Sequence, residues 1–74
     1  MAMADEVLEE REWTVAEYLA LFDEASPDHA VIRQRSANLK SIRVKKLRAP
    51  SGQMFEDTEF VEKTGISYTI RSKL

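Results

Sequence analysis

The charges of this chain are sorted along its length, and any fold it adopts has to accommodate that sorting. Residues 1–28 hold nine acids and one base, a net of −8. Residues 29–55 hold seven bases and no acid, a net of +7. Residues 56–74 hold four acids and three bases, a net of −1. A small body made from such segments carries an acidic pole and a basic pole, and their placement decides which partners it attracts. The overall net charge of −2 conceals this.

Seventy-four residues allow one domain with one core. The chain has no cysteine, which removes disulfides and thiolate metal sites. His29 is the only histidine, and with carboxylates alone it makes no structural zinc site. No cofactor or metal is therefore expected. A hydrophobic content of 43% lies above that of disordered chains and predicts folding. With no staple, part of the stability is expected from a homodimer or another partner. Five acids and one arginine within residues 1–12 are the wrong flank for a secretory signal, and no apolar run reaches membrane-spanning length. The chain reads as cytoplasmic, with Met1-Ala2 a vector-derived start ahead of a native Met3.

Residues 1–12 read as an acidic, partly mobile lead-in or frayed helix, and residues 13–74 as a single small α+β domain. Trp13-Thr14-x-x-Glu17-Tyr18 combines a capping box with a hydrophobic staple. Val15, Tyr18, Leu19 and Phe22 then follow at i, i+3, i+4 and i+7, which predicts a helix over 14–25. Ser26-Pro27-Asp28 supplies an N-cap, a proline at the first helical position and an acid for the dipole. A second helix is expected from Pro27 to about Leu39, although Ala30–Arg35 also reads as a strand. From Ser41 the pattern is β, with Ile42 and Val44 alternating with Arg43 and Lys45. Pro50-Ser51-Gly52 makes a turn, Met54-Phe55 starts the return strand, and Gly65 sits where a hairpin needs a left-handed residue. Ile66, Tyr68 and Ile70 alternate with polar residues in the last strand. The expected architecture is α+β: an N-terminal helix pair followed by a small three-stranded antiparallel sheet.

The residues offer no assembled catalytic constellation. Serines lie outside any nucleophile-elbow context, both glycines fit turns, and the acids of residues 5–28 lack calcium-loop spacing. His29, beside Asp23, Glu24 and Asp28, fits a surface position in the first turn of a helix. No enzyme activity is expected.

The basic stretch is more informative. Arg33, Arg35, Lys40, Arg43, Lys45, Lys46 and Arg48 supply the cation density that phosphate neutralisation requires. Gln34, Ser36, Asn38 and Ser41 add short polar groups between them. Strand alternation sets Arg43 and Lys45 against Lys46 and Arg48, so the seven do not share one face. The absence of aromatic residues here argues against single-strand stacking. A further possibility is that these bases pair with the acidic pole, within the chain or across a dimer.

Two functions follow. The first, narrowly favoured, is DNA or other nucleic-acid binding through residues 33–48. The helix, turn, basic helix and hairpin resemble the outline of a small winged helix-turn-helix. Trp13-Thr14-Val15-Ala16-Glu17-Tyr18-Leu19 is similar in texture to the first helix of phage excisionases, which implies a phage or mobile-element regulator with Pro50–Gly52 in the wing. The second is a small protein-protein interaction or inhibitor protein. It would use its acidic face as a phosphate mimic, or the edge of its last strand as an addition site for a partner's sheet.

Overall fold

The computed structural model describes residues 4–74; the expected vector-derived start lies outside the described residues. Four strands form one antiparallel sheet in the order β1-β2-β3-β4: β1 (Glu6–Trp13), β2 (Leu39–Arg48), β3 (Met54–Glu62) and β4 (Ser67–Lys73). Between β1 and β2 the chain makes two short helices, α1 (Val15–Leu19) and α2 (Pro27–Arg35), and a 3-10 turn at Ser36–Asn38. The expected helix pair followed by three strands is therefore corrected. The helices are inserted between the first two of four strands, and the winged-helix outline, which needs the helix pair first, is corrected with it.

The correction originates in residues 6–13. Their acids and sparse apolar residues carry no strand alternation, yet the segment pairs with β2 along its length. Glu6, Glu9, Glu10 and Glu12 stand opposite Arg48, Lys46, Lys45 and Arg43. Opposite charges in register stabilise a sheet, and like charges oppose it. Slipping β1 by two residues in one direction would set Arg11 against Lys46, so charge also fixes the register. An acidic segment becomes a strand because a basic strand lies beside it.

The first helix is shorter than its apolar spacing predicts. The capping box is present: Thr14 N–H donates to Glu17 Oε1 at 3.0 Å, and Glu17 N–H donates to Thr14 Oγ1 at 3.2 Å. The helix then tightens, with Leu21 N–H bonded to Tyr18 O and Phe22 N–H to Leu19 O. Beyond the helix end Asp23 forms a turn of its own, its carboxylate accepting from Ala25 N–H at 2.9 Å while its carbonyl takes Ser26 N–H. A short acid that bonds its own backbone competes with helix continuation. The second helix begins as its sequence predicts, with Ser26 Oγ accepting from Asp28 N–H and Pro27 at the start. It ends at Arg35, four residues before the expected limit.

The register defines two faces. Trp13, Ile42, Phe60 and Tyr68 form one apolar row across all four strands. On this side Ile42, Phe60, Leu39 and Ile32 make the core, with Val15, Tyr18, Leu19, Phe22 and Val44 packed against it. Leu39 reaches that side because the β2–β3 register shifts between Leu39 and Ser41, making Lys40 the extra residue. Without the bulge, strand parity would turn Leu39 to the opposite face. The turns are those expected: Gly52 and Gly65 hold φ of 90° and 92°, conformations that cost other residues strain.

The opposite face carries charge. Glu10, Lys45, Asp57 and Arg71 form a row of alternating sign, flanked by Glu12, Arg43, Glu59 and Thr69. Among the described residues no helix is long and apolar enough to cross a membrane.

Ile42 is fully buried, so Ile42→Ala is expected to cost about 3–5 kcal/mol, whereas Thr14→Ala, which removes a helix cap, costs about 1 kcal/mol. Urea denaturation of the two variants beside the parent chain measures both.

Candidate functional site

The seven bases of residues 33–48 are distributed over three surfaces. Arg33 is exposed in the last turn of α2. Arg35, also on α2, donates to the Tyr68 hydroxyl at 3.0 Å and so ties that helix to β4. Lys40 is exposed at the bulge. Arg43 and Lys45 lie on the open face, while Lys46 and Arg48 share the helix-covered side, as strand alternation predicts.

Most of the β2 charge is matched by its neighbours. Arg43 lies 3.6 Å from Glu10, 3.8 Å from Glu12 and 3.6 Å from Glu59. Lys46 meets Glu9 at 3.4 Å, and Arg48 meets Glu6 at 2.6 Å. Lys45 stands in register between Glu10 and Asp57. By strand the net charges are −3, +5, −4 and +2, so the sheet is neutral. The two poles of the sequence interleave as neighbouring strands. Phosphate binding needs uncompensated cations on a common surface, and this arrangement disperses the seven and pairs Arg43, Lys46 and Arg48 with carboxylates.

One ion pair goes further. Arg71 donates to both carboxylate oxygens of Asp57, at 2.7 and 2.9 Å, and to Asp5 at 3.4 Å. Its guanidinium also lies 5.0 Å from the Phe55 ring centre. The hydrogen bonds from Arg71 hold the Asp57 carboxyl below its ordinary pKa. This cluster joins β3 and β4 to Asp5, the residue before β1, on the open face.

On the helix-covered side the cover is incomplete. Helix α1 packs against β1 and β2, and α2 enters the core through Ile32. Between α2 and β4 lie two adjoining hollows of about 400 and 160 Å³, and Val31, Ile32, Phe60 and Ile70 line both. Val31 and Ile70 are each 54% exposed, unusual for large apolar residues on the inner side of a small domain. The alternating pattern of β4 was legible in the sequence. That the helices leave its inner face open was not, because no helix length or tilt is written in the strand itself.

The two sheet edges differ. The outer edge of β1 carries four glutamates and a register shift between Val7 and Glu9, features that block strand addition. The outer edge of β4 carries only Arg71 and Lys73, and Arg71 is engaged by Asp57. A short unpaired strand therefore borders an open apolar groove. Among the described residues no group of His, Asp and Glu is placed to hold a metal ion.

The lowered Asp57 pKa has a defined sign. Its contribution to stability is present above the ordinary aspartate value of about 3.9 and is lost as pH falls through the lower folded value. Asp57→Asn is expected to weaken the fold at pH 7, and the difference from the parent chain narrows on acidification below about pH 4. Urea midpoints across that range report it. Comparison with known proteins adds nothing to this geometry: no family model, curated protein or solved structure matches the chain.

Proposed function

We propose that this chain is a small non-enzymatic binding module whose ligand is a protein segment. The segment runs in extended form along the outer edge of β4, with alternate apolar side chains in the groove beside α2. The observation that carries this reading is the juxtaposition of an unpaired strand edge with the exposed pair Val31 and Ile70. Strand addition derives affinity from backbone hydrogen bonds, and specificity from hollows that accept every second side chain. Tyr68 and Phe60, stacked with ring centres 5.2 Å apart, give the groove a rigid aromatic floor.

Nucleic-acid binding is the second reading. Its support lies in Arg33, Arg35, Lys40 and Lys45, which have no carboxylate within 4.0 Å among the described residues. These four share no single surface: Lys45 lies on the open face between Glu10 and Asp57, and Arg35 is turned toward Tyr68.

Two measurements separate these readings. Gel shifts with duplex and single-stranded DNA at about 50 mM salt are expected to show no retention. Panning of a displayed random-peptide library on the immobilised protein is expected to enrich peptides with alternating apolar residues, whose binding is lost on Ile70→Lys. Salt-sensitive retention of DNA that Arg33→Ala with Arg35→Ala abolishes would overturn the proposal in favour of nucleic acid. Enrichment of peptides indifferent to Ile70→Lys would place the protein site elsewhere.

A further inference from the structure

The geometry points to a second copy of this chain as the occupant of the β4 edge, paired two-fold and antiparallel about Ile70. This rests on reading that edge as a docking surface, and names the partner.

The backbone determines which groups are available. Leu74 N–H donates to Met54 O and Glu62 N–H donates to Ile66 O. With the β3–β4 register, these bonds show that the even-numbered residues from Ile66 to Leu74 direct their amides and carbonyls toward β3. Ser67, Thr69, Arg71 and Lys73 therefore direct theirs outward, toward no strand among the described residues. Strand β4 covers Ser67–Lys73, and its middle residue is Ile70. An antiparallel pair centred there sets Thr69 opposite Arg71 of the second copy and Ser67 opposite its Lys73. All four outward residues then find partners on both copies. Centring on Thr69 instead would carry Lys73 beyond the strand to Gly65, whose amide is already bonded within its turn to Glu62 O.

Side chains accept the same register. Ile70 faces its own counterpart in a non-hydrogen-bonded pair, where side chains approach most closely. Tyr68 stands opposite Ser72 on the apolar side, and on the other face each base is opposite a hydroxyl. No like charges are directly opposed, and the diagonal pair of Arg71 side chains is neutralised by Asp57 on each copy. Centring on Arg71 would oppose two guanidinium groups. Pairing of β1 with its copy would bring its glutamates together, which like-charge repulsion disfavours. The two-fold at Ile70 also makes each α2–β4 groove continuous with its mate, turning two 54%-exposed isoleucines into one buried contact. The contact is isologous and closes at two copies.

Sedimentation of the full chain at tens of micromolar is expected to give about twice its 8.5 kDa mass. Thr69→Pro removes an outward N–H without touching the β3–β4 ladder, and Ile70→Lys places charges on the axis. Both variants are expected to sediment at the single-chain mass while keeping the parent's circular dichroism. Amide exchange at Thr69 and Arg71 is expected to slow as the parent's concentration rises and to stay fast in Ile70→Lys. A parent that is monomeric yet still enriches Ile70-dependent peptides would overturn the dimer and leave the docking edge standing. A dimer that both variants leave intact would overturn pairing through β4 and place the contact on another surface. A ladder of larger species would replace the two-fold with head-to-tail pairing of β4 on the acidic β1.

Discussion

Everything in this domain is arranged around the burial of one side chain, Ile42, which is wholly withdrawn from solvent. It sits in the second strand, with Trp13 and Phe60 beside it in the sheet and the helices above. A chain this small closes around a single such point. The shortest dimension is 16 Å, room for one sheet and one layer of helix but not for a second covering layer. The open face therefore buries only Leu47, in a row with Val7 and Phe55, and otherwise carries charge, while the short helices do not extend across the inner face to β4.

Charge has a different role here from the one that sorting along the sequence implies. Exposed ion pairs contribute little singly, and none of these pairs rivals the core. Their effect is on register. On the open face the observed register sets Glu10 and Asp57 beside Lys45, and Asp57 beside Arg71, while the apolar row Val7, Leu47 and Phe55 favours the same alignment. The acidic and basic segments are sorted along the chain because they occupy different strands, and they are interleaved in space because those strands are neighbours.

The parts of this fold that were legible in the sequence are those with local causes. Ser26-Pro27-Asp28 starts a helix, Gly52 and Gly65 make left-handed turns, and Ile66-Ser67-Tyr68-Thr69-Ile70 alternates as a strand should. The first strand was not legible, because Asp5–Glu12 has no alternation and its partner begins at residue 39. The first helix was overread, since Phe22 continues the apolar spacing after the backbone has left the α-helix at Ala20 and tightened at Leu21. For the site, strand parity correctly separated Arg43 and Lys45 from Lys46 and Arg48. Which carboxylates neutralise them depends on strand order, and that is a property of the whole sheet. Exposure of Ile70 is equally non-local, for it follows from where two helices stop.

The order of the strands also bears on how the chain lives before it is complete. Strands β2, β3 and β4 follow one another through short turns and can assemble as they emerge, whereas β1 is made first and its place opens only after both helices and β2 exist. During that interval it is an extended segment without a ladder, the state in which nascent chains are prone to associate wrongly. Four glutamates among its eight residues keep it hydrated and mutually repulsive until the basic strand arrives. The glutamates that favour the final register are thus also the charges that oppose association of β1 with another copy of itself before β2 is in place.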